Sequence, residues 1–101
     1  MDPCARLGDT VVLDGHDLHT LVERVEAELG RGERLLCVDA SDLEAPLAGL
    51  LVSVIAPSAR LTARCGGHLT VLCSLPEARG QLAALGVAVL SDRTIARAVL
   101  A

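Results

Sequence analysis

Residues Leu35 to Ala40, Leu-Leu-Cys-Val-Asp-Ala, are apolar at successive positions and end in an acid. A strand with one wet face alternates, so an unbroken run of this length reads as a strand buried on both faces. Such a strand needs helices above and below its sheet. They are present in the pattern: Leu18, Leu21, Val22, Val25 and Leu29 recur at helical spacing just before it, and Gly30-Arg31-Gly32 stops that helix. A short run, Thr10 to Leu13, precedes the helix and is closed by Asp14-Gly15. A strand, a helix and a strand at this spacing make a β-α-β unit with a parallel pair.

The rest of the chain repeats the alternation. Pro46 suits the first turn of a helix, whereas Pro57 and the β-branched Val52, Val54 and Ile55 argue for two pieces, 46–56 and 58–65, with a kink between. Gly66-Gly67 ends them. His68 to Cys73 reads as a strand, Ala78 to Leu85 as a helix led by Pro76, Val87 to Leu90 as a short strand, and Asp92 to Leu100 as a helix capped by Ser91. Asp17, or Thr20 paired with Glu23 in a capping box, starts the first helix. Glu23, Glu26 and Glu28 read as its solvated face. Residues 1–9 show no periodicity and read as a flexible tail, leaving 10–101 as a single domain. The expected fold class is α/β, with about four mostly parallel strands and about four helices.

Composition narrows the function. The chain has 101 residues, 51% of them hydrophobic, and no Phe, Tyr or Trp; its mean hydropathy is +0.49. Without aromatics there is no platform for stacked bases, and a net charge of −4 opposes binding to a phosphate backbone, so nucleic acid is not the expected partner. The nine cationic residues are all Arg, a trace of a GC-rich bacterial genome. The four cysteines, Cys4, Cys37, Cys65 and Cys73, form no C-x-x-C; with no secretory leader pattern, a reducing cytoplasm is the expected location. The apolar stretch 45–57, broken by Pro46, Gly49, Ser53 and Pro57, is shorter than the roughly 20 residues of a bilayer span. No membrane span is expected.

Few residues carry obvious chemistry. His16, Asp17 and His19 sit within four positions, with Cys4 as a conceivable fourth ligand, but such closely spaced groups rarely enclose a metal without distant help; they read as loop polar residues. Cys65, His68 and Asp39 have no spacing that links them as catalytic partners, and no Walker-type loop, G-x-S-x-G or G-x-G-x-x-G occurs. Neither a metal, a cofactor nor an enzymatic activity is expected.

The order Val-Val-Leu-Asp-Gly, Leu-Leu-Cys-Val-Asp-Ala-Ser-Asp-Leu, Gly-Gly-His-Leu-Thr-Val-Leu-Cys, the Pro76–Gly86 run and the closing Val87–Leu100 segment resembles the STAS domain, the family of anti-sigma-factor antagonists and sulphate-transporter tails. In typical regulatory members the turn before the second helix reads D-S-S-G or D-S-T-G and its serine is phosphorylated. Here that turn reads Pro46-Leu47-Ala48-Gly49, and no Ser or Thr lies between Ala45 and Leu51. The resemblance implies a non-catalytic protein-interaction module that binds an ATPase-fold anti-sigma kinase or a related scaffold. Without an acceptor serine, that contact is expected to be constitutive, because a phosphate would otherwise bring about −1.5 to −2 charge to this surface. The residues expected to meet the partner are Pro46, Leu47, Ala48, Gly49, Leu50 and Ser53, rimmed by Asp14, Gly15, His16 and Asp17. The alternatives are an accessory subunit that stabilises a transporter ATPase or a biosynthetic enzyme, or a small-ligand-binding domain. Homodimer and hetero-oligomer both stay open.

Overall fold

The computed structural model describes residues 5–100. Strands β1 (Ala5–Leu7), β2 (Thr10–Asp14), β3 (Leu35–Asp39), β4 (His68–Leu72) and β5 (Ala88–Leu90) form one sheet in chain order. The β1–β2 pair is antiparallel and the other three pairs are parallel. Four helices, α1 (Leu21–Gly30), α2 (Ala48–Arg64), α3 (Pro76–Ala84) and α4 (Arg93–Leu100), complete the α/β domain.

The sheet explains the unbroken apolar strands. Val11, Leu13, Leu36, Val38, Leu69 and Val71 point into the main core under α1, α2 and α3. The alternate residues Val12, Cys37, Leu72 and Leu90 point the other way, into a smaller core closed by Ala96 and Leu100 of α4. Each inner strand therefore has two dry faces. Burial pushes the Cys37 thiol up to about 12, with Asp39 adding to the effect, so it behaves as a small apolar side chain.

Several local expectations change. Part of the expected N-terminal tail is a fifth strand: Arg6 lies opposite Val11 and Leu7 opposite Thr10. The signal was the Gly8-Asp9 pair, a two-residue hairpin loop in which Gly8 takes φ 58°; three residues are too few to show periodicity. Residues 1–4, including Cys4, lie outside the described residues. At α1 the capping box does not form. A 3-10 turn, Leu18–Thr20, leads into the helix, and the Thr20 hydroxyl donates to the Asp17 carbonyl and accepts from Arg24. Glu28 is not solvated but buried, because it continues the Leu21–Val25 stripe at i+3; Arg31 answers its charge at 2.7 Å. The cap of α4 is Asp92, whose carboxylate accepts the Ile95 N–H at 3.0 Å, while Ser91 accepts from Arg79 instead.

The largest revision concerns α2. It runs through Pro57 as one helix from Ala48 to Arg64, preceded by a 3-10 turn, Ala45–Leu47. Pro57 removes the hydrogen bond its N–H would give the Ser53 carbonyl and crowds that carbonyl with its ring, but the packing of Leu51, Ile55, Ser58 and Thr62 holds the helix on both sides of it. The helical run Ala45–Arg64 thus has 20 residues, with a mean hydropathy of 1.4 over its most apolar 18-residue window, the length that the expected breaks were to preclude. Here it lies between α1 and α3, with its buried stripe on the sheet.

Candidate functional site

The parallel strands all end at one edge of the sheet, where the following loops converge. In open α/β sheets this edge is the usual place for binding. Gly15 sets its geometry. Its N–H donates to the Asp39 carbonyl at 2.9 Å, and a Cβ at Gly15 would stand 2.7 Å from the same oxygen. Only glycine lets the β2 loop lie against the end of β3. From α1, Arg24 donates to the Asp14 and Asp17 carbonyls, both at 2.7 Å, and pins the loop from behind.

His16 sits at the tip. Asp14 Oδ1 accepts from its backbone N–H at 2.9 Å and meets its Nδ1 at 2.5 Å. The backbone and side-chain hydrogen bonds from His16 hold the Asp14 carboxyl below its ordinary range. Conversely, the Asp14 hydrogen bond and charge raise the His16 imidazole, and the Asp42 and Asp39 charges add to this.

The β3 loop is tied by ions. Asp39 Oδ1 accepts from the Ser41 hydroxyl at 2.6 Å and its N–H at 3.2 Å. Asp39 Oδ2 accepts from Arg93 Nε at 2.7 Å, and the same guanidinium donates to Asp42 at 2.7 Å. Burial pushes the Asp39 carboxyl up, but the Ser41 and Arg93 hydrogen bonds outweigh it and the net shift is downward. Arg93 belongs to α4, on the opposite face of the sheet, so it reaches over the edge to fasten the loop that leads to α2.

At the start of α2, Pro46, Leu47 and Gly49 are exposed, Leu50 is half-buried and Ser53 is exposed. Ala48 is buried at 6% exposure and cannot meet a partner. Ala48, Leu51 and Ile55 share the sheet-facing stripe of α2; Leu47 belongs to the 3-10 turn before the helix and is exposed there. A hollow of about 290 Å³ lies between the two loops, lined by Gly15, His16, Asp39, Ala40, Asp42, Leu43, Glu44 and Leu47. The structure therefore brings Gly15, His16 and Leu47 together around one space, with Asp14 behind His16 and with Pro46, Gly49, Leu50 and Ser53 on the adjoining helix shoulder. The Asp17 side chain does not line it.

Asp39, Asp42, Glu44 and Arg93 were not among the expected site residues. The Asp-x-Ser turn of Asp39 and Ser41 is a readable signal; nothing local marks Arg93, which is 54 positions from Asp39. The hydroxyls nearest the Pro46–Gly49 turn are engaged: Ser53 donates to the Gly49 carbonyl at 2.9 Å and Ser41 to Asp39. His16 follows the end of β2 and His68 begins β4, so they lie at opposite edges of the sheet, as do Asp39 and His68. Among the described residues, no three His, Cys, Asp or Glu side chains gather as a metal-binding group.

No family model matches this chain, and no curated protein matches it by sequence. Among solved structures it is similar to the protein TM1081, determined by NMR, with a TM-score of 0.67 and 16% identity over 99% of this chain and 88% of that one. At that identity the likeness speaks for the fold.

Proposed function

We propose that the chain is a non-catalytic, STAS-like protein-interaction module that docks a partner through the edge formed by the β2 loop and the start of α2, without phosphorylation control. The observation that carries this reading is Leu47, 39% exposed beside a preformed hollow, at the turn where the resembled family places its switch serine. An apolar side chain held out of the core at a loop edge is the kind of anchor that interfaces bury. The partner in the leading version is an ATPase-fold anti-sigma kinase or related scaffold in the bacterial cytoplasm. The test is incubation with such a kinase and ATP followed by intact mass and phosphosite mapping; phosphate within residues 41–53 overturns the constitutive reading. Pull-down from native lysate, repeated with Leu47→Asp, tests the surface itself.

A second reading, a permanent accessory subunit of a transporter ATPase or biosynthetic enzyme, is favoured by the other face of the domain. There Val99 is 63% exposed and Ile95 40%, one turn apart on α4. A permanent subunit would aggregate or self-associate when made alone, whereas a reversible regulator would elute as a stable monomer or dimer in size-exclusion chromatography with light scattering.

A further inference from the structure

The hollow at the edge of β2, β3 and α2 has a mixed lining. Leu43 and Leu47 are its large apolar side chains, and Asp39, Asp42, Glu44 and His16 line it with them. Its volume of about 290 Å³ falls at or below the small end of small-molecule pockets, roughly 300–1,000 Å³, and suits one inserted side chain better than a whole ligand. Carboxylates outnumber cations here. Asp39 and Asp42 share the single guanidinium of Arg93, Asp14 is met by His16, and Arg24 spends its donors on backbone carbonyls. Among the described residues, neither Asp17 nor Glu44 forms a salt bridge, and both are exposed.

We infer that the partner is a protein that presents to this edge a basic surface with one projecting aliphatic or aromatic side chain. The apolar side chain enters the hollow against Leu43 and Leu47. Arg or Lys groups beside it meet Asp42, Glu44 and Asp14. An acidic protein, an anionic bilayer or a nucleic acid would bring like charge to the same rim, which opposes docking. The inference rests on the reading of this edge as the docking surface and adds the chemistry of what docks.

A random-peptide library displayed on phage and selected on the immobilised full chain separates the two claims. Bound peptides are then measured against wild type, Leu47→Asp and Gly49→Gln, each checked for folding by circular dichroism. Gly49 is exposed with no atoms near a Cβ, so Gln there obstructs the surface without disturbing the core. The expected result is enrichment of Arg- or Lys-rich peptides with an apolar anchor. Their binding falls at least about tenfold between roughly 0.05 and 0.5 M salt, where the Debye length shrinks below the spacing of these charges, and at least about tenfold in either variant. Neutral or acidic peptides that still depend on Leu47 and Gly49 overturn the inference and leave the docking surface standing. Peptides indifferent to both variants, or no enrichment, overturn the inference and the docking reading together.

Discussion

Gly15 lines the hollow and Gly49 lies on the helix beside it, yet alanine at the two positions should shift stability in opposite directions. At Gly15 the added Cβ would meet the Asp39 carbonyl oxygen at 2.7 Å and the Ala40 Cα at 3.1 Å. Both contacts are backbone, so no side chain can swing aside. The β2 loop must retreat by about half an ångström or more, which breaks the 2.9 Å Gly15–Asp39 hydrogen bond at a buried position. Overpacking costs about 1–3 kcal/mol and a buried unsatisfied pair about 1–3 kcal/mol; the reduced entropy of the unfolded chain returns about 0.4–1 kcal/mol. The net loss is about 2–4 kcal/mol. With a urea m-value of about 2 kcal/mol/M, the middle of the range for a small domain, the midpoint should fall by about 1–2 M. At Gly49 a Cβ meets nothing within 4 Å, and the residue lies inside α2, so Gly49→Ala should gain about 0.5–1 kcal/mol from helix propensity and raise the midpoint by a few tenths of a molar. Urea unfolding followed by circular dichroism measures both. A Gly15→Ala midpoint within about 0.3 M of wild type, or a drop for Gly49→Ala, refutes the close-approach argument.

His16 should titrate above its ordinary value of 6.5 in an NMR pH series, and Asp14→Asn should return it toward that value. Because its folded pKa is raised, its contribution to stability is complete below the unfolded pKa and fades as pH rises through the folded one; an unshifted His16 in the wild type counts against the pair. Asp39 is held down, so its contribution is present above the unfolded carboxylate pKa and is lost as pH falls through the folded value. Arg93→Ala removes a lowering partner and leaves burial in place, so ¹³C carboxyl shifts should show Asp39 titrating higher than in the wild type; an unchanged value refutes the tether. In a Cys4→Ser background, Ellman's reagent should label Cys65 in the native protein and reach Cys37 and Cys73 only after denaturation, since Cys65 is exposed and the others are buried. Rapid native labelling of more than one thiol contradicts the core described above.

The exposure of Leu47 has a local physical origin. The sheet requires Ala48, Leu51 and Ile55 on the inner stripe of α2. Continued as an α-helix, that phase would carry Leu47, four residues before Leu51, toward the same face; the 3-10 turn Ala45–Leu47 instead leaves it exposed at the rim. Of the expected contact residues on this segment, Ala48 is the buried one.

The α/β class, the helices and the inner strands were legible from the chain because burial on two faces and helical periodicity are local patterns. Leu35–Val38 could not be apolar at successive positions unless something covered both sides, and Leu18–Leu29 could not repeat as they do unless one helical face was dry. Glycine positions such as Gly8 and Gly32 also carry local meaning, since a left-handed turn is a property of a few bonds. What the chain could not disclose were the features made by residues far apart. The continuity of α2 through Pro57 depends on packing that outweighs one lost hydrogen bond. The burial of Glu28 depends on where the stripe of α1 meets its neighbours. The tie of Arg93 to Asp39 and Asp42 depends on α4 crossing the opposite face and reaching back over the edge. Propensity and spacing act over a few residues, whereas the shape and charge of the hollow arise from loops that only the closed sheet brings together.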